Sequence, residues 1–454
     1  MSSANTLKVR DDHKPLEFAE DGDSFKLQAG SEASWLKGET FGHKELRNRI
    51  EPWLTSLFQS EHLSLLAGSG LTHAVHCLAA GKGAAGMEAL TLSHYQTEIT
   101  DAAKKAAGAA GRERGNIEDQ LRVANELLRG LEILQKSSEA KALRQELQTG
   151  MKAFAQSILT SEAGIVTAEK EKREQAFNTL VTFLMSFASR TGVRDRLNIF
   201  TTNYDRLIEA GAELAGLHLL DRFLGNLMPI FRSSRLDLDM HYNPPGIRGE
   251  PRYLEGVTRY TKLHGSVDWV QTGLDIRRVG LPFGAASVEP YLQAPGLGGA
   301  TAQELMIYPN AAKDRETADY PYVELFRDLA AAVCRPNSTL VTYGYSFGDE
   351  HINRVIRDML TIPSTHLVVI SYDDSLGRIM QTYREMGRPL QISLLIGPAL
   401  ADLRTLTQNY LPKAAIDKTT FRMSELLKQR WGAEQSVDQN LPEMNQPTDG
   451  EDKR

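Results

Sequence analysis

His62-Leu63-Ser64-Leu65-Leu66-Ala67 breaks at Gly68-Ser69-Gly70 and restarts as Leu71-Thr72-His73-Ala74-Val75, apolar again but with helical spacing. A short apolar run that stops at glycines and resumes as a helix reads as the βα turn of a nucleotide-binding fold. Glycines let the backbone approach a pyrophosphate, and the helix that follows offers free N–H groups and the positive end of its dipole. The same text also serves as a plain strand-to-helix connection.

Working outward, further strands are expected at Leu197 to Thr201, Tyr260 to His264, Thr339 to Tyr345, His366 to Ser371 and Gln391 to Ile396, with helices at Tyr322 to Val333 and Ile352 to Leu360. Strand–helix alternation predicts an α/β protein: a Rossmann-like parallel sheet with helices on both faces. Residues 98–190 read as helical and predict a helical insertion domain. Within it, Asn116 can cap a helix, and Ile117, Leu121, Ala124, Leu128 and Leu131 form a narrow apolar seam that suits a partner helix, in this chain or another. Phe177 to Phe187 reads as a well-buried helix. The expected organisation is an N-terminal extension of little periodicity over 1–40, a nucleotide-binding domain from 41–97 and 191–410, the insertion between them, and a C-terminal helix with a polar, disordered tail over 411–454. The Pro-Pro-Gly at 244–246 marks a loop-rich stretch over the cleft.

With 454 residues the chain can bury a large core. Its 52 Lys+Arg against 58 Asp+Glu leave a formal net charge of −6, which argues against extensive nucleic-acid binding by this chain alone. Cys77 and Cys334 supply neither a disulfide framework nor a CxxC zinc pair, and both sit in apolar text that suits buried thiols. No secretory h-region and no apolar run of the roughly 18 residues a span needs is present, so a cytoplasmic location is expected.

Four motifs fall at predicted strand ends. The first is the glycine turn already quoted. The second, Thr201-Thr202-Asn203-Tyr204-Asp205, places polar side chains where they can face a cleft; Asn203 or Asp205 can equally cap the next helix. The third, Leu263-His264-Gly265-Ser266, offers a histidine whose ordinary pKa suits general-base work, or a structural ring. The fourth runs Tyr343-Gly344-Tyr345-Ser346-Phe347-Gly348-Asp349-Glu350-His351-Ile352-Asn353: glycines for close approach, Ser346 and Asp349 for hydroxyls, or Asp349 as a helix cap.

In order and approximate spacing these motifs resemble the sirtuin family over roughly residues 60–375. The family's Gly-Ala-Gly-Ile-Ser appears as Gly68-Ser69-Gly70-Leu71-Thr72, its Thr-Gln-Asn-Ile-Asp as Thr201-Thr202-Asn203-Tyr204-Asp205, its His-Gly as His264-Gly265, and its late Gly-Thr-Ser as Gly344-Tyr345-Ser346. The tyrosine in the second motif and the length of the fourth look like bacterial sirtuin-like proteins of antiphage defence that deplete NAD, and most like the sirtuin-like partner of a HerA-type hexameric ATPase. Two features depart from the deacylases: no cysteine lies between His264 and Cys334 to build their zinc ribbon, and Gly81-Lys82-Gly83-Ala84-Ala85-Gly86 stands where their Pro-Asp-Phe-Arg loop is expected.

The resemblance implies an NAD glycohydrolase with NAD as substrate and no metal. It implies catalytic roles for Asn203, His264 and Asp205. Gly68, Ser69, Gly70, Thr72 and Thr202 are implied on the pyrophosphate and ribose side, and Gly344, Tyr345, Ser346, Asp349 and Asp373 on the adenosine side. A homo-oligomer partnered by the ATPase is expected, with no membrane and with nucleic acid reached only through that partner. The competing readings are an NAD- or ADP-ribose-binding scaffold without turnover and, disfavoured by the missing ribbon, a deacylase or ADP-ribosyltransferase.

Overall fold

The computed structural model describes residues 5–10, 12–36, 38, 40–84, 90–109, 115, 117–189, 195–234, 238–243, 252–298, 300, 305 and 320–413. The chain begins with four short strands, β1 (Asn5–Lys8), β2 (Leu16–Asp21), β3 (Ser24–Leu27) and β4 (Thr40–Phe41), followed by α1 (His43–Phe58). Then come β5 (His62–Ala67) and α2 (Ser69–Ala80). Four more helices follow: α3 (Gln96–Ala109), α4 (Ile117–Ile133), α5 (Ser137–Val166) and α6 (Lys170–Ala188). The chain returns through β6 (Leu197–Thr201), α7 (Leu207–Leu214) and β7 (His218–Leu220).

Short strands β8 (Phe223–Leu224) and β9 (Ile230–Phe231) join the hairpin of β13 (Trp269–Thr272) and β14 (Asp275–Arg278) in a small antiparallel sheet. A separate pair is formed by β10 (His241–Tyr242) and β11 (Arg252–Tyr253). Between them in sequence lies β12 (Val257–Lys262). The C-terminal half is α8 (Tyr322–Val333), β15 (Ser338–Tyr343), α9 (Glu350–Leu360), β16 (His366–Ser371), α10 (Arg378–Met386), β17 (Ile392–Ile396), α11 (Pro398–Ala401) and α12 (Leu403–Asn409).

The main sheet has eleven strands in the order β4-β3-β2-β1-β17-β16-β15-β5-β6-β12-β7. From β17 to β7 every pairing is parallel. Every residue of β5, β15, β16 and β17 is buried, as a strand covered on both faces requires. Leaving aside the short edge strand β7, the order β12-β6-β5-β15-β16-β17 counted from β5 is 3-2-1-4-5-6, that of a doubly wound dinucleotide-binding sheet. One apolar layer holds Leu46 and Leu54 of α1, Leu71 and Val75 of α2, Phe183 and Phe187 of α6 and Leu406 of α12; the opposite layer holds Leu329 of α8, Ile356 of α9 and Ile379 of α10. The expected fold is the observed one: an α/β sheet with a Rossmann-like parallel core and helices on both faces.

Two boundaries differ from the sequence reading. The first forty residues contain four strands where only an extension was expected. β1 pairs antiparallel with β17, and β2 and β3 continue the sheet outward. Two- to six-residue strands give too few alternations for periodicity to register, and Lys8 hides a charge inside one: its Nζ donates to the carbonyls of Pro389, at 2.5 Å, and Ile392, at 3.0 Å. The expected insertion also divides. α3, α4 and most of α5 share a separate apolar cluster, whereas α6 packs on the sheet through Leu180, Phe183, Leu184 and Phe187. In the α4 seam, Ile117, Leu121, Ala124 and Leu131 are buried against neighbouring helices of this same chain. Asn116 and most of the C-terminal segment over 411–454 lie outside the described residues. Among the described residues no helix is long and apolar enough to cross a membrane.

Candidate functional site

Because the core strands are parallel, the ends of β5, β6, β12, β15 and β16 share one edge, and the strand order reverses between β5 and β15. A crevice is expected at such a switch point. The structure has a cleft of about 960 Å³ there. All thirteen residues singled out from the sequence line it: Gly68, Ser69, Gly70, Thr72, Thr202, Asn203, Asp205, His264, Gly344, Tyr345, Ser346, Asp349 and Asp373.

At its centre the β5 and β15 loops touch. Gly68 N–H donates to Tyr343 O at 2.9 Å, and Gly70 N–H to Gly344 O at 3.1 Å. A Cβ on Gly70 would stand 2.6 Å from Gly344 Cα, and Gly344 has φ +60°, so neither position accepts a side chain. The glycines therefore close the switch point, and their amide hydrogens serve the seam. Ser69, at the start of α2, and Arg378, the one guanidinium among the cleft-lining residues, also line the cleft.

The second motif forms a tight polar turn. Thr201 Oγ1 donates to Ala67 O at 2.8 Å and accepts Asn203 N–H at 3.1 Å, locking the turn to β5. Asn203 Nδ2 donates to Gly68 O and to Thr72 Oγ1, both at 3.0 Å. Thr72 Oγ1 donates onward to Asp205 Oδ2 at 2.7 Å, and Asp205 Oδ1 accepts Leu207 N–H at 3.0 Å. With both amide hydrogens of Asn203 engaged, the group it can still offer is its carbonyl oxygen, an acceptor for a water or a ribose hydroxyl. Asp205 orients this network and, from just before α7, accepts the N–H of its first residue. Lys262 Nζ donates to the Asp205 carbonyl and pairs with Glu209 at 3.1 Å.

His264 Nε2 lies 2.9 Å from Asp349 Oδ2. A carboxylate only accepts, so the neutral imidazole carries its proton on Nε2 and its lone pair on Nδ1. The other oxygen, Asp349 Oδ1, accepts the N–H groups of His351 at 2.8 Å and Ile352 at 3.4 Å, capping α9. Asp349 thus does two things at once: it caps a helix and holds His264.

Tyr345 is spent on packing. Its hydroxyl donates to Asn353 Oδ1 at 3.0 Å and Asp349 O at 3.1 Å, and its ring lies 4.9 Å from that of Phe347. Ser346 and Asp373 are exposed on the cleft, Asp373 accepting Ser375 N–H at 3.1 Å. Thr202 is half-buried, its N–H on Ala67 O at 3.3 Å. Sequence reasoning missed the wall formed by α5, where Phe154, Ser157, Ile158 and Ser161 face the cleft at helical spacing, and it missed Arg378. The i, i+3, i+4, i+7 pattern of the α5 residues was readable; what the face covers was not. Among the described residues no three His, Cys, Asp or Glu side chains gather as a metal site.

No curated protein matches the chain. The Thr-Asn-Tyr-Asp turn, His264 and the Gly344-to-Asp349 loop all lie within residues 197–387, which match the family model described as a SIR2-like domain, and over that span the chain is sirtuin-like.

Proposed function

We propose that this chain hydrolyses NAD to nicotinamide and ADP-ribose, and that it does so in antiphage defence as a homo-oligomer partnered by a HerA-type hexameric ATPase. The observation that carries the activity is the convergence of Asn203 and His264, the latter held by Asp349, on one cleft at the switch point of a SIR2-like sheet. SIR2-like proteins are generally NAD-dependent enzymes, and a module that only binds has no use for a base oriented by a carboxylate.

In the proposed reaction the bond between nicotinamide and ribose breaks, a bond from water oxygen to the same ribose carbon forms, and the water proton passes to His264. As in other glycosidic hydrolysis, the sugar acquires oxocarbenium character that must be shielded and captured. The carbonyl oxygen of Asn203 orients water or a ribose hydroxyl. His264 takes the proton on Nδ1, and Asp349 stabilises the imidazolium that results. Ser69 and Arg378 face the pyrophosphate, and Ser346 and Asp373 the adenosine half. Phe154 and Ile158 exclude bulk water from one wall.

The test is release of nicotinamide and ADP-ribose from NAD by the purified chain, beside His264→Ala and Asn203→Ala. Turnover by the parent and a loss of about 10²–10⁴-fold in His264→Ala without loss of folding are expected. Full activity in that variant sinks the assignment. No release by the parent, alone or with its ATPase, moves the function to a binding scaffold.

A further inference from the structure

The catalytic turn is held from outside the sheet by a helix of the insertion. α5 contacts the residue on each side of Asp205. Before it, Tyr204 is buried with its ring 5.7 Å from that of Phe154, edge to face. After it, Arg206 and Glu162 form a buried ion pair, at 5% and 1% exposure. Glu162 Oε1 accepts the backbone N–H of Arg206 at 2.8 Å as well as its Nε at 3.2 Å, while Oε2 takes Nη2. The guanidinium also donates to the carbonyls of Leu281 and Pro282, the latter at 3.0 Å. Burial works against the Arg206 cation, but Glu162, Asp268 and Glu209 together outweigh it and keep the guanidinium charged, while burial pushes the Glu162 carboxyl above its ordinary range.

The backbone contact separates this pair from an ordinary buried ion pair. A side chain that holds a main-chain N–H fixes the peptide plane between Asp205 and Arg206, and with it the direction of Asp205, Thr72 and the Asn203 amide. The apolar cluster of α3, α4 and α5 includes Tyr204, so the insertion and the turn pack as one body. α5 also supplies Ser157, Ile158 and Ser161 to the cleft wall, so any displacement of α5 moves the wall and the turn together.

We infer that Glu162 is a positioning residue for the Asn203–Asp205 turn, acting through Arg206, and that α5 couples the helical insertion to turnover. The catalytic reading rests on NAD hydrolysis; the coupling of α5 to the turn does not. The experiment therefore uses two readouts on the full chain: kcat and KM for NAD, and amide hydrogen exchange of residues 201–207. Glu162→Gln keeps the shape and removes the charge. Thr160→Ala, on the exposed side of α5, is the control.

Glu162→Gln is expected to lower kcat per folded molecule by about 10- to 100-fold with KM within about twofold, since a misplaced reacting group costs rate more than binding. Exchange over 201–207 should quicken, and Thr160→Ala should match the parent in both readouts. A folded Glu162→Gln with parental kcat and parental exchange overturns the inference. If Glu162→Gln does not fold, Glu162→Asp, which keeps the charge but shortens the reach to the Arg206 N–H, is expected to show the same split in weaker form; parental values there overturn it equally. A parent that releases no nicotinamide refutes the proposed activity, and the exchange readout then decides the coupling by itself.

Discussion

The two ends of the parallel strands are built to different purposes. At their amino ends polar side chains tie neighbouring strands and loops together. His62 Nδ1 meets Asp195 Oδ2 at 2.7 Å and Arg335 meets the same oxygen at 3.1 Å. Gln391 Nε2 donates to Ile362 O at 2.9 Å and Thr365 O at 3.1 Å, and Ser393 Oγ joins His366 Nε2 at 2.8 Å and Trp53 Nε1 at 2.9 Å. At the carboxyl ends a cleft stays open and its polar groups stand around it. The contrast between two histidines on the same sheet is instructive. His366 is buried and held by a hydroxyl; His264 faces a cleft and is held by a carboxylate that can stabilise its charged form. Substitutions at the amino ends should cost stability, and those at the carboxyl ends should cost turnover.

The largest expected effect breaks that rule. Gly344 is at the carboxyl edge, yet Gly344→Ala should cost stability, because its positive φ is strained for any side chain and the new Cβ would meet the Gly70 backbone. Backbone against backbone cannot yield as a side-chain tip does, so a loss of roughly 3 kcal/mol or more is expected, read as a lower urea midpoint. A parental midpoint would mean that the two loops are not held in this seam.

The next effect sharpens the rule at the amino edge. Burial, with Lys8 nearby, holds His366 down to about 4 against an ordinary 6.5. Between those values the unfolded chain binds a proton that the folded chain refuses. The stabilising contribution of a neutral His366 is therefore complete above pH 6.5 and is lost as pH falls toward 4, on the order of 3 kcal/mol in all. His366→Asn cannot titrate and should show a flatter urea midpoint across that window than the parent. Parallel curves would mean that His366 is not the group that makes the protein acid-sensitive.

Legibility followed the same division. β5, β6 and β16 were readable to the residue because a largely buried strand is a short, mostly apolar run bounded by glycine or polar text. That the motif residues line one cleft was readable because strand ends are marked locally, a few residues at a time. What failed was long-range. Asp349 lies 85 residues from His264, and no local pattern announces that its carboxylate turns toward that ring. Tyr345 follows a glycine in a motif and so suggests ligand contact, but its hydroxyl and ring are used inside the α9 cap. α5 shows a helical stripe, but whether it covers core, solvent or cleft depends on helices that sequence cannot place. The meander over β1 to β4 was lost because its strands are too short to show a period.

The smallest predicted effect tests Asp349, where the two purposes meet in one side chain. As a cap it belongs with stability; as the partner of His264 it belongs with turnover. Asp349→Asn separates them. Asparagine caps a helix about as well as aspartate, so the N–H groups of His351 and Ile352 keep an acceptor and Tm should stay within a degree or two. Toward His264, however, an amide nitrogen replaces the carboxylate oxygen. It can only donate, so Nε2 must accept, the proton moves to Nδ1, and the atom that should take a proton from water already carries one. Turnover should fall about 10- to 100-fold with KM nearly unchanged, as part of the roughly 10²–10⁴-fold contribution of a general base is lost. A lower Tm with parental kcat would make Asp349 a cap alone. The carboxyl edge would then owe its histidine to packing, as the amino edge does.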